Sequence, residues 1–348
     1  MRQSPVKEEA LREPESGGPQ ERRKGDVRSR QLLLAAAITL LGVHATPASA
    51  QIPPRFYWKG LTGTQAVPVI GMSLSGNANP IDPGHTVVPG ANFAATVAVA
   101  GYARTFSLGG RAAMAAVLVP MGRLSGGATL GGRAFDEDAS GYGDPLVELD
   151  VNLIGPSAIK NIPDLMRYEP GFSLDVIADL AIPIGENDSE QPLNLGQNRW
   201  YGRIGTPIVW QLGPWVPGRR TTLEALPSVW LFGDNSDFLG RRLHTEPMFQ
   251  VEGHLTRDLA KDLWASLDLT WVTGGRASLD GVEGEALNNL GAGFTLGYHI
   301  NDNLQLTAGY MATLNDEKPT DLRMDGFRVS LLFGWHPLVE GMKRLKAE

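Results

Sequence analysis

The sequence of 348 residues contains no cysteine. Disulfide scaffolds, cysteine-ligated zinc or iron–sulfur centres, thiol nucleophiles and lipid-modified cysteine anchors are therefore excluded. Aromatic residues are absent from the first 50 positions, whereas glycine is abundant, with 42 residues. Because ordinary glycine usage is about 7%, this composition predicts many tight turns and close backbone approaches.

Long apolar runs are also missing, since none reaches 18 residues. The run at 31–43 is too short for a spanning helix, which needs about 20 residues. It follows the arginine-rich stretch 22–30 and precedes Ala48-Ser49-Ala50. A basic n-region, a short apolar h-region and an A-x-A exit are typical of a secretory signal peptide, although a buried N-terminal helix is the alternative. We expect cleavage between Ala50 and Gln51, with Ala48 as the other small residue of the cleavage site.

The net charge of the chain after residue 50 bears on whether nucleic acid can be a partner. Removing residues 1–50, which contain eight basic and six acidic residues, leaves 23 basic and 32 acidic residues. An acidic surplus argues against nucleic acid as a partner, because phosphates require clustered lysine and arginine. We therefore expect an exported protein without a helical anchor.

Alternation with a period of two fills the chain after residue 50. In the segment 263–271, for example, Leu263, Leu267 and Trp271 share one face, while Ser266 and Asp268 lie on the other. The clearest alternating segments are 172–182, 263–271, 290–300, 304–310 and 327–335. Weaker segments are 67–75, 93–106, 111–119, 146–153, 200–211, 221–231 and 248–255. Separated by turn signals, these segments predict about twelve β-strands.

Two all-β folds are compatible with this alternation. In a soluble β-sandwich the apolar face points inward, whereas in a transmembrane barrel it contacts lipid and the other face lines a polar lumen. Strands of about ten residues, aromatic residues at strand ends and charged residues in mid-strand favour an antiparallel up-and-down transmembrane β-barrel. We expect the barrel in residues 51–335, after the N-terminal extension and signal peptide in 1–50, with a C-terminal tail in 336–348.

Short glycine-rich motifs add a resemblance to a known family. They are Gly109–Ala113 (GGRAA), Gly141–Pro145 (GYGDP), Pro183–Gly185, Asn198–Gly205 and Leu290–Tyr298. With these motifs the chain resembles the outer-membrane transporter family of the phenol degradation meta-pathway, over most of residues 60–335. The resemblance implies uptake of small molecules, with hydrophobic aromatic compounds as candidates. One departure is the tail after Trp335, because barrels often end on an aromatic residue that the outer-membrane assembly machinery recognises.

Charged residues in mid-strand are the main functional candidates. Arginine or lysine on the lipid face costs about 2–4 kcal/mol at the membrane midplane, so we assign the polar face to the lumen. The predicted lumen-lining residues are Arg111, Glu148, Asp150, Asp175, Asp179, Arg203, Glu224, Glu252, His254, Asp268, His299 and Arg328. They predict either a net-acidic pore wall that filters solutes or a non-conducting structural or adhesive barrel, plugged by 77–90 or 157–168.

Other chemistry has weaker support. Ser266 and Ser330 with His254 and His299 invite a hydrolase hypothesis, but no G-x-S-x-G elbow is present. The acidic triplet 136–138 predicts a solvated loop, with a divalent-cation site as the alternative. We expect no enzyme activity and no cofactor or metal. The expected partners are outer-membrane lipid, a small-molecule solute and the assembly machinery.

Overall fold

The computed structural model describes residues 52–88, 90–130, 132–315 and 322–347. The expected signal peptide and its cleavage site at Ala48, Ala50 and Gln51 lie outside the described residues. The strands are β1 (Gln65–Gly76), β2 (Asn92–Leu108), β3 (Arg111–Leu130), β4 (Arg133–Tyr142), β5 (Leu146–Ile154), β6 (Phe172–Ala181), β7 (Tyr201–Gly205), β8 (Ile208–Gln211), β9 (Thr221–Phe232), β10 (Asn235–Phe238), β11 (Arg241–Thr245), β12 (Met248–Asp258), β13 (Leu263–Gly274), β14 (Ala277–Leu279), β15 (Val282–Glu283), β16 (Leu287–His299), β17 (Leu304–Thr313) and β18 (Met324–Trp335). The helices are α1 (Ile162–Arg167) and α2 (Pro337–Ala347). Within the described ranges, neither helix has the length and apolar character needed to cross a membrane.

The wall is a closed antiparallel barrel. Its order is β1, β2, β3, β5, β6, β7 with β8, β9, β12, β13, β16, β17 and β18, and β18 pairs with β1 from Gln65↔Trp335 to Gly76↔Met324. The segments β7 and β8 form one wall strand that is interrupted at Pro207, which cannot donate a ladder hydrogen bond. The prediction of a barrel of about twelve strands is confirmed.

The two faces of the wall are inverted relative to those of a soluble protein. On β13, Leu267 and Leu269 are 65% and 53% exposed, while Ser266 and Asp268 are buried. Because apolar side chains point outward and polar side chains point into the barrel, lipid is the natural environment of the outer surface. The sandwich alternative is therefore wrong.

The two rims of the barrel differ. At the terminal rim, where β1 begins and β18 ends, β2 and β3 are joined by only two residues, 109–110. At the loop rim, opposite, long connections carry additional strands, and β10, β11, β14 and β15 form a separate small sheet. The strand β3 has 20 residues and pairs with β4 beyond the wall. The acidic triplet 136–138, predicted as a loop, lies in β4, so that prediction is wrong.

The barrel interior has one apolar side. Inward-facing residues of β1, β2 and β3 form a buried cluster that Leu195 covers from the loop rim. The wall members of this cluster are Leu74, Ala95, Val97 and Leu124. The opposite side of the interior, formed by β5, β6, β9, β12 and β13, carries the buried carboxylates of the wall strands. The interior is therefore divided into an apolar half and a charged half.

Candidate functional site

The candidate site is the barrel interior, which residues 52–63 enter from the terminal rim. We call these residues the plug segment. The backbone N–H of Ile52 donates to the buried Glu252 on β12 at 2.8 Å. At the other end of the segment, the Lys59 ammonium pairs with Asp150 on β5, at 3.2 Å, and with Asp175 on β6. The plug segment therefore crosses the charged half and neutralises part of it.

Glu224 on β9 is the main anchor of the plug segment. One oxygen of its carboxylate accepts the backbone N–H of Arg55 at 2.8 Å. The other accepts the indole N–H of Trp58, also at 2.8 Å, and the hydroxyl of Thr222 at 2.7 Å. Since hydrogen bonds to an ionised acceptor are stronger than neutral ones, this carboxylate fixes both the backbone and a side chain of the plug segment.

Arginine and tryptophan side chains stack where the plug segment enters. The Arg55 guanidinium lies 4.3 Å from the ring centroid of Trp58 and bonds to Asp258 at 2.7 Å. Arg220, in the connection between β8 and β9, lies 5.2 Å from the same Trp58 ring, and Trp215 of that connection packs against the ring at 4.6 Å. These cation–π contacts are strengthened by burial and hold the segment at the terminal rim.

The space around the plug segment is small. Two neighbouring cavities have volumes of about 30 and 10 Å³, and Tyr57 contributes to the lining of both. A water molecule needs at least about 10–15 Å³. These cavities therefore hold isolated waters at most, and the plug segment occludes the interior where they lie.

Arg203 on β7 links its own strand to β6 and β12 inside the barrel. Its guanidinium bonds to Asp179 on β6 at 2.7 Å and to Glu252 on β12 at 2.9 Å. It also lies 4.9 Å from the ring centroid of Trp230. Glu148 is directly opposite Asp179 in the ladder and is 1% exposed. This network combines four of the predicted residues and belongs to the wall itself.

Asp268 is the centre of a second cluster. It accepts hydrogen bonds from Ser266 at 2.5 Å and Thr295 at 2.6 Å, and its other contact is His254 Nδ1 at 2.8 Å. In a serine hydrolase the serine hydroxyl is bonded to the histidine, whereas here Ser266 donates to the aspartate. The geometry therefore gives no support to the hydrolase hypothesis.

Two of the predicted residues lie apart from these clusters. Arg111 is exposed at the start of β3 and donates to the carbonyl of Gly155 at 3.1 Å, at the terminal rim. His299 is the last residue of β16 and is half-buried at the same rim. Arg328 points inward from β18 and lines a cavity of about 10 Å³ together with Asp268 and Thr295 of the second cluster. Ten predicted residues thus lie in or beside the two interior clusters or against the plug segment.

Residues 77–88 close the opposite end of the interior. Asp82 pairs with Arg199 at 2.9 Å, and both side chains are buried. Ala78 packs against Met248 on β12 and other apolar residues across the loop rim. Burial lowers the pKa of His85 in this segment, although Asp82 acts in the opposite direction. The other predicted closure, 157–168, contains the helical turn α1 and lies at the terminal rim.

Sequence reasoning missed the plug segment. Its key residues are Ile52, Arg55, Tyr57, Trp58 and Lys59. Their partners are 91 to 203 positions away in the chain, and the segment has no periodic pattern. The one available signal is the surplus of mid-strand carboxylates over arginines, which requires cations from elsewhere.

Known proteins resemble the chain in fold. An outer membrane channel from Pseudomonas putida F1 is 18% identical, with a TM-score of 0.64, covering 82% of this chain and 99% of the channel. The translocator domain of the autotransporter NalP from Neisseria meningitidis is 9% identical, with a TM-score of 0.46 and coverage of 90% and 97%. The toluene transporter TodX from Pseudomonas putida is 11% identical, with a TM-score of 0.37 and coverage of 83% and 94%.

Sequence comparison gives the family. No curated protein matches the chain. The family described as "MetA-pathway of phenol degradation" matches residues 76–333, which is more than half of the chain. This range includes every wall strand except β1, of which it contains only Gly76, and the last two residues of β18. The chain therefore belongs to the family of the MetA-pathway of phenol degradation.

Proposed function

We propose that the chain is a passive outer-membrane channel for small molecules, with hydrophobic aromatic compounds as the candidate solutes, and that the plug segment controls passage. The observation that carries the proposal is that polar contacts to wall carboxylates anchor the plug segment. Water can replace such contacts at modest net cost. The apolar packing of the segment is confined to a cluster in which Tyr57 contacts Ile177, Val209 and Leu226. The plug segment is thus suited to leave and return.

The apolar half of the interior provides the surface for a hydrophobic solute. Ala95 and Val97 on β2 and Leu124 on β3 point inward next to Leu74. A solute ring that contacts these side chains leaves water without requiring hydrogen bonds from the wall. The family description, which refers to phenol degradation, supports an aromatic solute.

The proposal includes a route to the outer membrane and an orientation of the barrel in it. The signal peptide in residues 1–50 would deliver the chain to the periplasm, and the longer connections of the loop rim would face the cell exterior. The terminal rim would then face the periplasm. The last wall strand, which ends at Trp335, would be the segment that the assembly machinery reads.

Planar bilayers test the channel. We expect rare or small conductance steps from the full-length mature chain and larger, frequent steps after deletion of residues 52–60. Heat-modifiable gel migration checks that the variant barrel is folded. Silence of a folded deletion variant would overturn the proposal.

A second experiment tests the aromatic solute. Val97→Asn places an amide in the apolar half and should slow uptake of a labelled monoaromatic hydrocarbon into proteoliposomes, while ion conductance is retained. Ala98→Val alters the neighbouring outward-facing residue and serves as the matched control. Equal uptake by the two variants would contradict the role of the apolar half.

One observation favours a different function, a non-conducting structural barrel. Both ends of the interior are closed, since the Asp82–Arg199 pair joins the loop 77–88 to the connection that precedes β7 at the loop rim. If this loop is a permanent seal, deletion of residues 52–60 alone will leave the barrel silent. Conductance that appears only after Arg199→Leu is added would show that the loop, and not the plug segment, controls passage.

A further inference from the structure

We propose that the barrel wall contains a binding site for the guanidinium group of a small molecule, and that Arg55 of the plug segment occupies this site in the structure. The wall residues of this guanidinium site are Thr256 and Asp258 on β12 and Trp264 on β13. The inference rests on the proposed release of the plug segment, because the site is open only after Arg55 has left it. A guanidinium compound that binds the open site therefore favours release.

The aromatic surface of the guanidinium site is fixed by the wall itself. Trp264 is 1% exposed, and its ladder partner on β16 is Gly297. A Cβ atom at position 297 would overlap the Trp264 ring, so the ring can cover the neighbouring strand only because that residue is glycine. The Arg55 guanidinium lies 4.5 Å from the centroid of the same ring. The wall thus holds an aromatic ring in place for a cation, and the plug segment is not needed to position it.

Two oxygen atoms complete the guanidinium site. Asp258 accepts Nη1 of Arg55 at 2.7 Å, and Thr256 accepts its Nε at 3.1 Å. Both of these wall residues are buried. The second carboxylate oxygen of Asp258 accepts the backbone N–H of Gly218 at 2.9 Å and Nε of Arg220 at 2.8 Å. The connection between β8 and β9 therefore orients the carboxylate and leaves its first oxygen to the guanidinium.

The geometry of the site favours a planar cation. The guanidinium carbon of Arg55 lies 4.3 Å from the ring centroid of Trp58 and 4.5 Å from that of Trp264. A guanidinium stacks on aromatic faces and presents its N–H groups in a rigid plane, so it can contact a ring, a carboxylate and a hydroxyl at once. An ammonium is a compact and strongly hydrated charge. We therefore expect the site to distinguish the two cations.

Arg55 fills the site imperfectly, which allows a free compound to compete with it. Its φ is 67°, in the left-handed region, and such a backbone is strained in a residue other than glycine. Its Nη2 atom is buried and has no hydrogen-bond partner among the described residues. A free guanidinium compound carries no backbone strain. Because a tethered group has an effective concentration in the millimolar range, we expect competition at millimolar concentrations of the free compound.

Hydrogen exchange of residues 52–60, measured by mass spectrometry, tests the competition. The probe is methylguanidinium, and methylammonium is the control of equal charge. The exchange rate reports the released population of the plug segment. In the natural chain, methylguanidinium at about ten times its dissociation constant should raise this rate about tenfold, because it binds only the open site. Methylammonium should leave the rate unchanged.

Arg55→Gly empties the guanidinium site and tests it in the opposite direction. Glycine accepts the φ of 67° without strain, and loss of the charged contact should raise the exchange rate about tenfold. Methylguanidinium should now slow exchange, because the free cation restores the contact between Trp58 and the wall. Adding Trp264→Leu should abolish this slowing. Adding Thr256→Val, which removes only the hydroxyl acceptor, should weaken it.

A matched control and the folding of each variant complete the test. Arg276→Gly removes a partly exposed arginine that pairs with Glu283, and exchange of residues 52–60 should then equal that of the natural chain. Heat-modifiable migration verifies folding. Equal effects of methylguanidinium and methylammonium would overturn the proposal. So would an unchanged rate when methylguanidinium is added to Arg55→Gly, since Arg220 would then satisfy Asp258 alone. Exchange is independent of conductance, so a silent deletion variant would overturn the channel and not this site.

Discussion

Replacing Glu224 by glutamine should release the plug segment without disturbing the wall. The substitution keeps the shape of the side chain but turns one acceptor oxygen into an N–H₂ donor, which then faces either the Arg55 amide or the Trp58 indole. A hydrogen bond to a charged group contributes about 1.5–3 kcal/mol. Because about 1.4 kcal/mol corresponds to a factor of ten, loss of one such bond raises the released population roughly 10- to 150-fold.

Because the chain contains no cysteine, release of the plug segment can be measured by labelling a single introduced thiol. Val209→Cys places a single thiol on the inward face of β8, where Val209 is 3% exposed and packs with Tyr57 of the plug segment. The labelling rate with a water-soluble maleimide follows the released population when release and return are fast. We expect Glu224→Gln to raise this rate at least tenfold. Glu283→Gln, at an exposed pair with Arg276, is the matched control.

The result that would refute this reasoning is specific. If the thiol at position 209 reacts at the same rate in the Glu224→Gln and Glu283→Gln backgrounds, Glu224 does not anchor the plug segment. If the thiol reacts as fast as a free thiol without any second substitution, the plug segment does not cover β8 in solution.

Three further outcomes are expected. Arg203→Met leaves Asp179 and Glu252 unpaired and should lower the free energy of unfolding by about 3–5 kcal/mol. The barrel should then lose its folded gel migration at a lower temperature than the natural chain does. An unchanged temperature would show that the Arg203 network does not stabilise the wall. Hydrogen bonds from His244 and Arg242 lower the pKa of Asp234. At neutral pH Asp234 is ionised and these bonds stabilise β11. The stabilisation is lost when Asp234 is protonated, as the pH falls below about 4 and through the pKa of the folded state. Hydrogen exchange in β11, corrected for intrinsic rates, should rise over that range in the natural chain but not in Asp234→Asn. The intact mass of protein purified from the outer membrane should correspond to a chain that begins at Gln51.

The wall strands could be predicted because lipid imposes a regular pattern on them. The predicted segment 263–271 begins where β13 begins, and the segment 327–335 ends where β18 ends. Beyond the membrane this constraint disappears. The strands β4 and β10 lie at or past the loop rim. The exposed face of β4 carries Asp136 and Asp138, while Phe135 on its other face is buried, so the strand lacks the apolar outer face that lipid imposes on the wall strands.

The interior could be predicted only in part. The acidic residues Glu148, Asp179 and Glu252 were found from their place in mid-strand, since lipid would exclude them. Their partners depend on how the sheet curves and closes, which brings Lys59 to β5 and β6. The apolar half was not foreseen, because inward-facing Ala95 and Val97 resemble lipid-facing residues in a strand that is apolar on both sides.

The division of the interior into an apolar half and a charged half has a consequence for what could pass. The apolar half favours the nonpolar part of a molecule, and the charged half, across a narrow space, favours its polar part. A compound with a ring at one end and a hydroxyl at the other would be turned so that the ring follows β2 and the hydroxyl follows β5. Selection would then depend on how polarity is distributed along a molecule, and less on its diameter.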